Sequence, residues 1–379
     1  MSQTQRNRVH ADVVALCHKG LDLSAFFEAA RQVLERSVDF DGCCWLTLDP
    51  ATYLPTSHVA HNSIKPEDVP RLAENEILET DVNKLAELAR APIPSGILSE
   101  AASGKPETSP RFRNVLLPND LGPELRTSFV DAQGAWGGMA MYRKLGRPDF
   151  TAAEKDLLAG LSQPLAEGVR RAIVMAAARA TETDEGPGLI LLEQDGSVQD
   201  VNPAADRLLQ KLISPPSAPG RLPNIIHAVA YRALLSARGD SGGLAMARVP
   251  TEGGNWMVLH GSVVGSAEAG RTAVIIEPAR SAEMAPLIAA AYGLSGREGE
   301  ITRLLLQGAS TNEVAASLHL SAYTVQDHLK SIFDKVGVRS RGELVAEIFF
   351  HHYAPRLTSG SPLGPSGWFA DQPESGPDT

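Results

Sequence analysis

The sequence predicts two α+β domains followed by an all-α domain of four short helices. The first reason is length: at about 100–200 residues per domain, the 379 residues make room for two to three domains. The second is an alternation, up to about residue 281, of amphipathic stretches with β-branched runs bounded by turn residues. The third is a change of character from Leu294 onward, where Ser295 with Glu298, Ser310 with Glu313 and Ser340 with Glu343 form Ser-x-x-Glu boxes. Each box precedes an apolar periodic segment.

Composition narrows the class of protein. Hydrophobic residues at 43% and charged residues at 21% are ordinary for a folded chain, and no apolar run approaches the roughly 18 residues of a membrane span. Three cysteines, Cys17, Cys43 and Cys44, form no C-x-x-C pair and are too few for a disulfide framework. Without a secretory apolar segment either, the expectation is a cytoplasmic protein with no membrane partner. The 35 basic and 45 acidic residues give a net charge of −10, which describes the whole chain and says little about one small domain.

In chain order, residues 1–20 read as an N-terminal segment, and Leu23 to Val38 form an amphipathic helix through Phe26, Phe27, Ala30, Val33 and Leu34. Gly42 to Leu48 is a strand closed by the Asp49-Pro50 turn, much of 62–130 looks helical or loop-like, and GAWGGMAMYR is a glycine-punctuated strand. Thr151 with Glu154 is a capping box. It opens a helix of about 25 residues whose stripe is Leu158, Leu161, Leu165, Val169, Ala172 and Ala176. That stripe serves either as the face of a core helix or as a seam with a second copy. The acidic TETDEGP stretch at 181–187 marks a boundary. Beyond it Leu189 to Glu193 and Val198 to Val201 form a hairpin around Asp195-Gly196, and Asn202-Pro203 opens a helix. NWMVLHGSVVG and RTAVIIEPAR are an antiparallel strand pair. The last 26 residues, 354–379, are rich in Pro, Gly and Ser and read as a disordered tail.

On DGCCWLTLDPATYL and PDFTAAEKDLLAGLSQPLAEGVRRA, the block 21–180 resembles GAF sensor domains. On LILLEQDGSVQDVNPAADRLL and the terminal hairpin, the block 185–281 resembles PAS domains. Such folds serve as ligand sensors, as dimerisation units or as both, so the resemblance implies an architecture, with an unknown small-molecule ligand in either block.

In the block 287–353 the helices fall near 296–307, 311–318, 322–336 and 341–352. His319, Leu320 and Ser321 make a tight connection that forces the second and third helices to cross steeply, the helix-turn-helix arrangement. Val325, Leu329, Ile332 and Val336 take the buried side of the third helix, and Tyr323, Gln326, Asp327 and Lys330 the opposite one. The sequence from LSGREGEITRLLL to GELVAEIF is similar over its whole length to the LuxR-type (NarL/FixJ-like) DNA-binding domain, with matching positions that include Arg297-Glu298, Gly308, Glu313, Thr324-Val325, His328 and Lys335. The resemblance implies a third helix in the major groove of double-stranded DNA and a fourth helix contributing to a homodimer. Thr311-Asn312 stands where the family usually has Asn-Lys, and Gln326 where a lysine is common, so two cations are missing. Residues 285–350 hold six basic and seven acidic residues, which predicts weak nonspecific binding and a shallow salt dependence. Thr311, Asn312, Tyr323, Thr324, Lys335 and Arg339 are expected at phosphates, with Gln326, Asp327 and Lys330 at bases. Gln suits adenine, Lys guanine and Asp cytosine.

Other features point away from chemistry. Cys43-Cys44 with His58 and His61 could suggest a thiolate–imidazole site, but adjacent strand residues face opposite ways. The Gly-Gly pairs at 137–138, 242–243 and 253–254 look like turns, and no phosphate loop, nucleophile elbow or kinase signature is present. The expectation is a transcriptional regulator with no catalytic residue, metal or cofactor. The alternative is a helix-turn-helix module that docks on another regulator and scarcely touches DNA.

Overall fold

The computed structural model describes residues 3–177, 186–213, 221–239, 243–252, 255–265, 271–279, 292–306 and 308–344. The expected tail 354–379 lies outside them, as does most of the 181–187 boundary and of the fourth helix. The described residues form two compact units, one drawn from those within 3–173, 186–252 and 256–278, the other mainly from those within 292–344. Two antiparallel sheets with helices make the first, and a helical C-terminal domain makes the second.

The first sheet comprises β1 (Gly42–Leu48), β2 (Pro55–His61), β3 (Ser95–Ile97), β4 (Leu121–Asp131) and β5 (Gly134–Lys144), ordered β2-β1-β5-β4-β3. Its helices are α1 (Gln3–Cys17), α2 (Leu23–Glu35), α3 (Val69–Ile77), α4 (Leu85–Leu88), α5 (Leu98–Ala101) and α6 (Ala152–Ala177). Every residue of β1 is buried, because the sheet is covered on both faces. On one face the rings of Phe27, Trp45 and Phe129 stand in series with centroids 5.3 and 5.7 Å apart. On the other, Cys44, Leu46 and Leu48 pack with Leu85, Leu98, Val115 and Leu116.

The Thr151 box forms as the sequence predicts: Thr151 N donates to Glu154 Oε2 at 2.7 Å and Glu154 N to Thr151 Oγ1 at 3.3 Å. Leu158, Leu161, Leu165, Val169 and Ala172 are all buried within the first unit, so over this length the stripe is the face of a core helix. At Gly168 of α6 an added Cβ would lie 2.0 Å from the Phe26 ring, so α2 and α6 approach this closely only because a side chain is missing.

The second sheet comprises β6 (Gly188–Leu192), β7 (Val198–Val201), β8 (Met246–Pro250), β9 (Trp256–Val264) and β10 (Arg271–Pro278), ordered β7-β6-β10-β9-β8. Its helices are α7 (Pro203–Leu209) and α8 (Asn224–Ala237). The predicted hairpin turns on Gly196 at φ 81°, Asn202 caps α7 by accepting from Ala205 N at 2.8 Å, and β9 pairs with β10 as read from the sequence. The two sheets share one unit. Leu54, Ala73 and Ile77 join a core cluster with Ile225, Ile226 and Val229 of α8. Buried Asp49 accepts from Arg248, its Oδ2 from N and Nε, both at 2.9 Å, and its Oδ1 from Nη2 at 2.8 Å.

Two expectations are corrected here. The region 62–130 contains strands β3 and β4 as well as helices, β4 having been masked by Pro123 and by the charges of Glu124 and Arg126. Both charges are buried, Glu124 beneath Arg111 (2.8 Å) and Arg126 beside Glu76 (2.9 Å), so they occupy core positions that a hydropathy pattern reads as exposed. Gly137-Gly138 is no turn. It lies inside β5, where Cβ atoms would press to 2.6 Å on Leu46 O and 2.8 Å on Leu85 Cδ2. Residues 3–17 form a helix, α1, whose few apolar side chains, Val9, Val13 and Leu16, are buried by the rest of the unit.

Two glycines of α6 make a paired test. Gly168→Ala is expected to destabilise by about 1–3 kcal/mol through overpacking against Phe26. Gly160→Ala meets nothing within 4 Å and is expected to stabilise by about 0.5–1 kcal/mol. Urea unfolding of the two variants, followed by tryptophan fluorescence, checks both signs. By the same measurement Asp49→Ala is expected to cost about 3–5 kcal/mol, because it leaves Arg248 buried without its carboxylate, and Asp49→Ala with Arg248→Met to cost less.

Candidate nucleic-acid interface

Among its described residues the helical unit holds α9 (Gly296–Leu306), α10 (Thr311–Ser317), α11 (Ala322–Val336) and a further turn at 341–344. Ser295 N donates to Glu298 Oε2 at 2.6 Å and Glu298 N to Ser295 Oγ at 3.3 Å. Ser310 and Glu313 repeat the box at 2.7 and 3.3 Å. At the third box Ser340 Oγ accepts from Glu343 N at 3.1 Å, but the Glu343 carboxylate takes the amide of Arg339 in place of that of Ser340. Two turns of α10 cannot hold themselves. Val314 and Ala315 are buried with Ile301, Leu305, Val325, Leu329, Ile332 and Leu344 in one core.

The connection from α10 to α11 turns on His319 at φ 54°, a left-handed conformation that histidine tolerates better than most non-glycine residues. Leu320 N donates to Ala315 O at 2.9 Å and closes the end of α10. Ser321 then caps α11, accepting from Thr324 N at 3.0 Å, and Gly337 at φ 79° ends it.

The outward stripe of α11 is as the spacing predicts. Tyr323 is 76% exposed, and Gln326, Asp327 and Lys330 are exposed on the same side, opposite buried Val325, Leu329 and Ile332. Among the phosphate candidates, Asn312 and Arg339 are exposed, Thr311 and Thr324 are half-buried, and the Thr324 hydroxyl lies 2.8 Å from that of Ser321. Lys335 differs from the rest because its charge is already committed. Its Nζ donates to Glu298 Oε2 at 2.6 Å, on a carboxylate that also accepts from Ser331 Oγ at 2.7 Å. Arg297 caps the neighbouring element, donating from Nη2 to Leu318 O at 2.6 Å, and Arg341 reaches Leu305 O at 3.4 Å.

Burial alone would raise the pKa of Glu298. Lys335, the Ser295 amide and the Ser331 hydroxyl outweigh it and hold the carboxyl down at about 2. The sequence identified Glu298 as a cap and matched Arg297, yet gave no sign of these longer ties. Ser331 and Lys335 are 33 and 37 residues away, with nothing local to announce them.

Elsewhere Cys17, Cys43 and Cys44 are buried free thiols, and burial pushes Cys43 and Cys44 up to about 11 and 12. Among the described residues no group of three His, Cys, Asp or Glu is placed to hold a metal. No helix of the described residues is long and apolar enough to cross a membrane.

A family model described as bacterial regulatory proteins, luxR family, matches residues 293–348. Spore germination protein GerE of Bacillus subtilis is 38% identical over 55 residues, 14% of this chain and 74% of that protein. The probable csgAB operon transcriptional regulatory protein of Salmonella typhimurium is 45% identical over 53 residues, 14% of this chain and 24% of its own length. Among solved structures, Escherichia coli SdiA is similar at a TM-score of 0.27 and 12% identity, covering 87% of this chain and 92% of that one. A Vibrio cholera VqmA–ligand–DNA complex is similar at a TM-score of 0.21 and 16% identity, covering 46% and 87%.

Because folding lowers the pKa of Glu298 from its ordinary 4.5 to about 2, the stabilisation it gives is complete above pH 4.5 and is lost as pH falls from there toward 2. A carbon-13 titration of its carboxyl in the full chain is expected to show a midpoint near 2. In Lys335→Met the midpoint is expected to move upward, since the cationic donor is gone.

Proposed function

This chain belongs to the luxR family of bacterial regulatory proteins, and from that premise we propose that it is a cytoplasmic, homodimeric, sequence-specific regulator of transcription. In this reading α11 enters the major groove of a two-fold symmetric site. Proteins of this family are transcriptional regulators and not enzymes. The observation that carries the proposal is the stripe Tyr323, Gln326, Asp327 and Lys330, exposed on a helix whose opposite side is core and whose entry is a tight turn at His319.

Gln326, Asp327 and Lys330 read base edges, while Tyr323, Thr324, Arg339 and the amides of Thr311 and Asn312 meet phosphates. Lys335 stays on Glu298 and holds α11 against α9, reaching a phosphate only where that bond is shared. The first sheet and its helices form a GAF-like domain over 21–180, and the second a PAS-like domain over 185–281. A small molecule bound in either is the signal, and 287–353 is the DNA-binding domain.

The charge balance also favours a second reading, in which the helix-turn-helix docks on another regulator. Of the six cations at 285–350, Arg297, Lys335 and Arg341 already bond within the unit. Titration of the full chain on the promoter of its own operon, at two salt concentrations, separates the readings. DNA reading requires sequence-dependent binding, and docking requires none.

Each phosphate neutralised contributes about −0.9 to the slope of log affinity against log salt. With Arg339 as the phosphate-contacting cation of each interface, a dimer is expected to show a slope of about −2. Lys330→Ala is expected to weaken specific binding by about 1–3 kcal/mol, and unchanged specific affinity in that variant would refute the assignment.

A further inference from the structure

We infer that Asp327 is a negative filter: its carboxylate excludes α11 from most DNA and admits it where a cytosine stands opposite. The inference rests on the DNA reading above and adds what sets its specificity.

Asp327 is exposed in the middle of the stripe, between Gln326 and Lys330. Lys330 lies three residues on, the separation at which side chains of a helix can pair, yet among the described residues no cation is bonded to Asp327. Asp334 carries the same charge about two turns further along. The face offered to DNA therefore has an unneutralised carboxylate at its centre, which a polyanion does not attract.

The chemistry of the groove determines what such a group accepts. Guanine presents the acceptors N7 and O6, thymine presents O4, and adenine sets its N7 acceptor beside the N6 amino donor. Cytosine alone presents a donor, the N4 amino group, with no acceptor beside it on the same base. A carboxylate pressed against any other edge loses water and meets lone pairs, an uncompensated burial of charge. Against cytosine it gains a charge-assisted hydrogen bond. Since few cations of this domain are left to attract random DNA, the same carboxylate holds nonspecific binding down further.

The filter makes an unusual prediction, that removing a side chain from the interface tightens binding to the wrong DNA. The full chain, Asp327→Asn and Asp327→Ala are each used to select sites from a random duplex pool and are titrated with random competitor DNA. Because Asp327 is exposed and supports no contact within the fold, all three proteins are expected to melt together. The unaltered chain is expected to select a fixed cytosine in each half of its site. Asp327→Asn is expected to exchange it for adenine, whose N6 and N7 an amide matches, and Asp327→Ala to lose the preference. Both variants are expected to bind competitor more tightly, and Asp327→Ala to lose roughly 5- to 150-fold of discrimination at the cytosine position, the range of one good base contact. A chain that selects a motif which neither variant alters, with competitor affinity unchanged, overturns the filter and leaves the DNA reading standing. A chain that selects no sequence overturns the DNA reading itself.

Discussion

The carboxylate of Glu298 is buried and carries three obligations at once: the amide of Ser295 that begins α9, the hydroxyl of Ser331 and the ammonium of Lys335, both on α11. A buried charge without partners is costly, so this group fixes the distance and rotation of α11 against α9 wherever the unit is folded. The consequence for the interface is geometric. With Ser331 and the Lys335 ammonium bonded to Glu298, the helix shows Tyr323, Gln326, Asp327 and Lys330 to solvent. A slip of one residue would turn this stripe by roughly 100° and put Val325 or Leu329 in water.

The first unit is organised by the same kind of constraint. Asp49 follows β1 and Arg248 lies in β8, so the ion pair ties the two sheets across 199 residues of sequence. Asp49 also accepts from Ala51 N at 2.9 Å, which forms the turn after β1. The pair therefore joins a local turn to a distant strand, and α8 adds an apolar contact to α3 through Ile77 and its neighbours. Separating the sheets would expose both the apolar seam and two charges. If one of them receives a signal, the other is expected to move with it as part of the same body.

What was legible in the sequence was what is local. The three Ser-x-x-Glu boxes place the starts of α9, α10 and the fourth helix to within a residue or two, since cap and helix lie within one turn of chain, and the fourth helix beyond 344 lies outside the described residues. The stripe of α11 follows from period alone. What was not legible depends on distant partners. β4 was missed because Glu124 and Arg126 look like surface residues until Arg111 and Glu76 are placed against them. α1 was missed because three or four apolar residues do not specify a helix until a body exists for them to pack on. The bond from Lys335 to Glu298 was not legible because nothing near either residue in sequence reveals the other.

Charge decides how such an interface can work. Most nonspecific affinity for DNA comes from counterion release, so a domain with uncommitted cations binds everywhere first and selects afterward. Here Arg297 and Arg341 are spent on helix carbonyls and Lys335 on Glu298, which makes the helices themselves rigid at the expense of attraction. The remaining donors of the proposed interface are mostly neutral: the hydroxyls of Tyr323 and Thr324, the amides at the start of α10 and the carboxamide of Gln326. Neutral donors depend on position and not on long-range field, so they reward correct docking and little else. Two domains acting together multiply that reward, because the second docks from an effective concentration fixed by the first. In the dimer proposed above, a weakly charged helix-turn-helix would therefore depend on its second copy more heavily than a strongly basic one does, and control of dimer geometry by the preceding domains would be an efficient way to control binding.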